Sequence, residues 1–431
     1  MASSLEAQRI VDAIDAEELA KLALELGKID STPNKEGLVA EFLCDWLSKE
    51  GFEARTLALV PERPNVYSTI RGTGDGYSLV FNAHMDIWLN EKDIWVVHKP
   101  DRAWFEAWID GDRVYGQGVV NDKGPMAAFM IAAKALRKAG IALKGDLTLT
   151  MVPGEIGWEP VDEFQPPYYL SKEAGARYLI THGVVADFAL VAEVSNFGLA
   201  WVEAGKAFFK VTVVGDSPTY TPYVTHDAPP ERHPNAVVKM TPVIRAIEQW
   251  AAEYESKNRY EWERGVLVPK ASIGAIRGGV PYMILSSPQV CSVYVDVRLT
   301  PDGDPLAIRS ELRKRIASTG VAAEVELFLY RRGYEAQNVS RLVNAVDSAH
   351  LTVLGSPPKP VASPICSMWR DNNVFNEAGI PSLTYGPPAG FSPGGVGAAG
   401  TGHFFITKQD LAAAAKIYAL TAFNLCNQPK L

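Results

Sequence analysis

The sequence predicts an α/β protein in two parts: a sheet covered on both faces by helices, and a compact β-α-β-β-α-β domain inserted into it. Three observations carry this. The chain has 431 residues, beyond the roughly 250–300 at which a single core stops growing. Short apolar or alternating runs bounded by glycine recur between helical patterns, the signature of strands alternating with helices. After about Phe208 the order of patterns changes to strand, helix, two strands, helix, strand, the split unit of ferredoxin-like domains.

Residues 5–55 read as helices, with Val39, Phe42, Leu43 and Trp46 at helical spacing and Gly51 closing the last turn. Strand patterns follow in NVYSTIRG, YSLVFNAH, RVYGQG, DLTLTMV, FALVAEV and GLAWVEA, and PMAAFMIAAKALRKAG is an apolar helix ended by Gly140. In the insertion FFKVTVVG is a strand, NAVVKMTPVIRAIEQWAAEYES a long helix, ASIGAIRGG and QVCSVYVDVRLTP two strands, PLAIRSELRKRIAS a helix and AAEVELFLYR the last strand. This divides the chain into 1–206 plus 332–431, and an inserted domain at 207–331. The helical patterns SRLVNAVDSAHLTVLG and KQDLAAAAKIYALTAFNLC return to the first part, and PPAGFSPGGVGAAGTG is a Gly/Pro loop ending at His403.

Composition narrows the function. Hydrophobic content of 47% and charged content of 21% are those of a globular protein. No apolar run approaches the roughly 20 residues of a membrane span. The acidic, amphipathic N-terminus does not read as a secretory signal. Cys44, Cys291, Cys366 and Cys426 lie far apart without metal-type spacing and read as reduced core residues of a cytoplasmic protein. A net charge of −8 without Lys/Arg runs argues against nucleic-acid and anionic-membrane partners and leaves a small-molecule substrate.

His84 and Asp86, Asn121 and Asp122, Glu155, Glu193 and His403 each follow a strand-like segment or a loop able to reach the same sheet edge. Ends of parallel strands converge at that edge, where ligands bind in open α/β sheets. Imidazole and carboxylate groups gathered there suit Zn, Mn or Co. Each residue alone reads equally as a core histidine, a solvated glutamate or, for Asn121 or Asp122, a helix N-cap.

Together the motifs resemble the family of cocatalytic metallo-aminoacylases, dipeptidases, desuccinylases and glutamate carboxypeptidases. HMD at 84–86 is similar to the family's H-x-D, VYGQGVVNDKG to YGRG-x-x-D-x-KG, GEIG to EE-x-G and AEVSN to its later acidic motif. HDAPPERHPNAV and RDNNVFNEAGIPSLTYGPP are similar to two further family stretches, and His403 falls where the last ligand histidine lies. The resemblance implies a metallopeptidase-like mixed sheet flanked by helices, with the inserted domain serving dimerisation. It implies His84 and Glu193 as ligands of one metal, Glu155 and His403 as ligands of another, and Asp86 as the group fixing the His84 tautomer. It implies that His226 serves the partner subunit of a homodimer. Arg277 and Arg370 are the cations offered to a substrate carboxylate, each reading equally as a surface or interdomain arginine.

Two departures shape the functional expectation. Asn121 stands where the family has its metal-bridging aspartate, so a single metal per chain, Mn or Zn, is expected, held by a subset of His84, Glu155, Glu193 and His403, with Asn121 a weak ligand or hydrogen-bond donor. Gly154 stands where the family has the glutamate that carries the proton to the leaving amine; Glu159 or Asp122 is an alternative source. Three readings follow: an aminohydrolase attacking an activated aromatic amine with a metal hydroxide (5-nitroanthranilate to 5-nitrosalicylate plus ammonia), a peptidase or N-acyl amino acid amidohydrolase with a relocated base, and a non-catalytic binding relative. The first is preferred, since it accounts for both losses; Trp88, Trp158, Trp369, Tyr385 and Phe391 are the aromatic residues available to a flat ring.

Overall fold

A computed structural model describes residues 4–88, 104–391 and 404–430. Its contacts divide the chain into two units. The first comprises Met1–Trp201, Ala336–Val361 and Arg370–Leu431; the second comprises Val202–Glu335 and Ala362–Trp369.

The first unit is built on a six-stranded mixed sheet. In spatial order the strands are Arg55–Leu57, Asn65–Ile70, Leu147–Val152, Leu79–His84, Phe188–Val191 and Ser382–Thr384. The last four are mutually parallel, with His84 opposite Val152 and Asn82 opposite Val191. Leu79–His84 and Leu147–Val152 are buried throughout, as expected of strands covered on both faces. The helix Gly124–Lys138, buried along most of its length, packs between Ala16–Gly27 and the C-terminal helix Lys408–Cys426. A second, four-stranded sheet joins Gly390–Phe391, Phe404–Thr407, Arg113–Tyr115 and Trp108–Asp110.

The second unit runs strand Gly205–Val214, helix Ala236–Lys257, strands Ala271–Gly278 and Val290–Leu299, helix Pro305–Ala317 and strand Ala323–Arg331. Its four strands form one antiparallel sheet in the order third-from-last, second-from-last, first, last of the unit's long strands: Ala271–Gly278, Val290–Leu299, Gly205–Val214, Ala323–Arg331. Alternate residues Ala207, Phe209, Val211 and Val213 face the two helices and are fully buried, the period-two pattern of a sheet with one covered face.

GLAWVEA is not a continuous strand: only Val202–Glu203 pairs, with Tyr334–Glu335, while Ala200 makes an isolated bridge to Thr384. A short hairpin, Tyr260–Trp262 with Gly265–Leu267, has no counterpart in the sequence reading. Its strands of three residues are too short to show a period. The four cysteines are unpaired thiols, three of them buried. Among the described residues no helix is long and apolar enough to cross a membrane.

Candidate metal centre

Three parallel strands end at one edge of the first unit's sheet, and the residues just beyond them carry the polar chemistry. His84 closes its strand, Gly154 and Glu155 follow Val152, and Glu193 follows Val191. The turn Val119–Lys123, which leads into helix Gly124–Lys138, brings Asn121 and Asp122 to the same edge. Arg370 and Asp371 arrive immediately before helix Asn372–Glu377.

His84 is buried, its Nδ1 lying 3.0 Å from the Asp86 carbonyl oxygen and its Nε2 3.1 Å from Asn121 Oδ1. A proton on Nδ1 donated to that carbonyl leaves the Nε2 lone pair facing the site. Asp86 therefore orients the imidazole chiefly through its backbone. Its carboxylate, 3.6 Å from Nδ1, instead accepts the amides of Glu155 and Ile156 at 3.1 and 2.9 Å. The Asp86 side chain thus also pins the turn after Val152, where it accepts two amides, while its carbonyl sets the His84 tautomer.

Motif spacing puts only a neutral amide, Asn121, at the bridging position and offers Asp122 as an alternative proton source, not as a ligand. The turn departs from helical geometry at both residues, with φ/ψ of −135/87 and −138/15, so both side chains reach His84. Ligand atoms of His84, Asp122 and Glu193, all buried, lie within 4.8 Å of one another. Among the described residues neither carboxylate oxygen of Asp122 makes a well-formed hydrogen bond, only a weak approach from the His84 amide, and Glu193 Oε1 has no partner. Unpartnered buried oxygens are costly, about 1–3 kcal/mol or more each when charged. Converging with an imidazole lone pair, they form a donor set suited to a borderline divalent cation.

The electrostatics agree. Burial pushes the Asp122 carboxyl well above the usual carboxylate range, and Glu193 and Glu155 push it further. Burial also raises Glu193, against the pull of Arg370. His84 is lowered by burial, but Glu155, Asp86 and Glu193 more than offset this and raise it overall. All three groups hold a proton more tightly than in their ordinary environments, and a cation bound there would compete with it.

Arg370 does not stand open to a substrate carboxylate. It is 3% exposed, and its Nε donates to Glu193 Oε2 at 2.6 Å. The guanidinium fork occupies one Glu193 oxygen and leaves Oε1 directed at the cluster. We expect Arg370→Met to lower divalent-metal affinity about 10- to 100-fold, the usual cost of losing a group that orients a ligand. Titration calorimetry measures this; unchanged affinity would show that Glu193 is held without the arginine.

Glu155 lies near the cluster, its Oε2 3.9 Å from His84 Nε2. Its Oε1 bonds to Lys172, whose side chain is 1% exposed and stands 3.3 Å from Asp371 Oδ1. Asn82 donates to Asp371 Oδ2 at 3.0 Å, and Thr150 donates to Asn82 at 2.9 Å. Sequence reasoning missed Lys172 and Asp371. Asp371 sits in the RDNN stretch as the only acid, a usable signal, whereas Lys172 lies in a loop without recognisable pattern.

Gly154 has a φ of +76°, and a Cβ built there would lie 2.2 Å from the Ser171 carbonyl oxygen and 3.3 Å from Arg63 Nη2. The position is glycine for steric reasons as well as conformational ones. Arg63 is itself buried and paired with Glu36 at 2.6 Å. Glu159 is buried in the following loop.

His226 and Arg277 are exposed on the second unit. His403 falls outside the described residues. Of the aromatics, Tyr385 is a core residue bonded to His350 Nδ1 at 2.7 Å, Trp158 stacks on Tyr169, Trp88 is 40% exposed beside Trp104, and Trp369 belongs to the second unit, donating to the Arg332 carbonyl. The side chain of Phe391 is outside the description.

Comparisons with known proteins agree with the geometry. The model of peptidase family M20/M25/M40 matches residues 80–424. The N-formyl-4-amino-5-aminomethyl-2-methylpyrimidine deformylase of Halalkalibacterium halodurans is 23% identical over 385 residues, 80% of this chain and 81% of that one. The Bacillus subtilis deformylase of the same description is 32% identical over 166 residues, and this alignment spans only 38% of this chain and 34% of that one. The di-peptidase Dug1p of Saccharomyces cerevisiae shares the fold with a TM-score of 0.74 at 13% identity, covering 98% of this chain and 99% of that one. With the family model covering the sheet edge and every strand that meets there, the chain belongs to peptidase family M20/M25/M40, a family of metal-dependent hydrolases of carbon–nitrogen bonds.

Proposed function

We propose that this chain hydrolyses an amide-type C–N bond of a small molecule, using one divalent transition metal, Mn or Zn, held by His84, Asp122 and Glu193. The observation that carries the reading is the convergence of these three buried groups within 4.8 Å, with the Asp122 oxygens and Glu193 Oε1 left for an ion. Held by His84, Asp122 and Glu193, such an ion would supply Lewis acidity and activate water for attack.

The chain's own residues set the ligands and the charge. The Asp86 carbonyl holds the His84 tautomer, Arg370 holds Glu193, and the Asp86 carboxylate fixes the turn that carries Glu155. No side chain at position 154 is available to protonate the leaving nitrogen. The likeness to deformylases supports an N-acyl amine as substrate, with a small acyl group transferred to water. His226 on the second unit is proposed to serve the partner subunit of a homodimer, and Arg277 to meet a substrate carboxylate.

The closure of position 154 also favours a second reading, a leaving group that draws no proton from that position. An aromatic amine activated by a nitro group, as in conversion of 5-nitroanthranilate to 5-nitrosalicylate, needs no donor at position 154: the ring takes up the charge of the hydroxide adduct, and the proton of the added hydroxyl passes to the nitrogen, which leaves as ammonia. The test is a panel of N-formyl and N-acyl amines, dipeptides and nitro- or amino-substituted benzoates, assayed with Mn²⁺ or Zn²⁺. Free amine plus carboxylic acid from an N-acyl amine is expected. Ammonia released from an aromatic amine would replace this reading with the second. Thermal stabilisation by a compound that is never consumed would mark a binding protein.

A further inference from the structure

The segment carrying Lys172 is pressed into the site. Ser171–Glu173 forms a short 3-10 turn, Ser171 Oγ donates to the Gly154 carbonyl at 3.2 Å, and the Ser171 carbonyl fills the space of a Cβ at Gly154. The glycine therefore does two things: it removes a side chain from the site and admits the backbone that delivers a lysine. Lys172 ends between two carboxylates, bonded to Glu155 and 3.3 Å from Asp371. A buried ammonium needs such compensation. Burial draws the Lys172 pKa down, but Asp371 and Glu155 outweigh it and hold the amine above its ordinary value, in the charged form.

Built-in cations already stand on two carboxylates beside the His84 cluster: Lys172 lies between Glu155 and Asp371, and Arg370 holds Glu193. A second dication would add positive charge beside an ammonium one carboxylate away, and would have to displace it from Glu155.

We propose that the Lys172 ammonium occupies the place of a second cation, restricting the centre to one divalent ion. This rests on the reading that His84, Asp122 and Glu193 bind metal, and it replaces the neutral Asn121 as the reason for single occupancy. Removing the amine should convert the Glu155–Asp371 gap into a cation site.

The experiment measures metal content by mass spectrometry after equilibration with Mn²⁺ or Zn²⁺ and dialysis, with calorimetric titration of the apoprotein. Wild type and Lys172→Arg are expected to retain one ion per chain and Lys172→Ala two, the second lost first on dilution. A Tm rise on adding Mn²⁺ should be larger for Lys172→Ala than for wild type, because the uncompensated carboxylates make its apo form less stable. One ion in Lys172→Ala would overturn the proposal while leaving the His84 cluster intact. Two ions in wild type would overturn it as well, and no ion in wild type would overturn the cluster reading itself. Should Lys172→Ala fail to fold, Lys172→Gln, which keeps the stem without the charge, gives the same readout.

Discussion

Asp122→Asn should abolish metal retention and reduce turnover about 10³-fold, corresponding to several kcal/mol of transition-state stabilisation. The substitution keeps shape and volume and removes only the charge. It therefore separates the electrostatic role of Asp122 from packing in the turn Val119–Lys123. The apo variant should be at least as stable as apo wild type. Burial pushes the Asp122 carboxyl strongly toward the neutral form, and an amide carries no ionisation penalty. Wild type should regain stability when Mn²⁺ is added and the variant should not, a stability cost tied to function. Asn121→Ala, by contrast, should keep the metal and lose at most about 10- to 100-fold in affinity, since its amide adjoins His84 without adding charge. Thermal unfolding with and without metal, together with metal content, checks both variants. A metal-replete, active Asp122→Asn would remove this residue from the centre.

Gly154→Glu should not restore a proton shuttle. It should destabilise the protein by about 3 kcal/mol or more, the range of overpacking combined with backbone strain. The obstacle is a backbone oxygen 2.2 Å from the Cβ position, which cannot swing aside as a flexible side chain would. Gly154→Ala should show most of the same loss, because the clash lies at Cβ and the φ of +76° disfavours any L side chain. Chemical denaturation and hydrolysis of the N-acyl amine and dipeptide panel report the two outcomes. A stable Gly154→Glu protein with a large gain in dipeptide hydrolysis would show that the loop at Ser171 yields, and that position 154 lost an ordinary peptidase base.

The large elements of this fold were legible because their periodicity was unbroken. DLTLTMV, YSLVF and FALV are buried strands of the central sheet, and the βαββαβ order of the insertion is present strand by strand. Short pairings escaped, since three residues cannot display a period. At the site, His84, Glu155 and Glu193 were visible because each follows directly from a strand end. Asp122 was legible only as an alternative proton source and not as a ligand, because a motif counts positions along the chain, whereas the bend at Asn121 and Asp122 brings both side chains to His84. Arg370 was visible as a cation, but its partner was not: only the fold brings residues 193 and 370 together. Lys172 was the least legible. Nothing in the WEPVDEFQPPYYLSKE segment marks a lysine that will be buried, and its placement depends on the glycine against which its loop packs.

Asp122, with His84 and Glu193, is proposed to hold a single divalent ion. Anomalous diffraction at the zinc edge, from crystals grown with Zn²⁺, tests it most directly. One strong peak per chain is expected, in contact with His84, Asp122 and Glu193, with Lys172 still bonded to Glu155. A peak held by Asn121 and Glu155 with Asp122 turned away, or a second peak between Glu155 and Asp371, would contradict it.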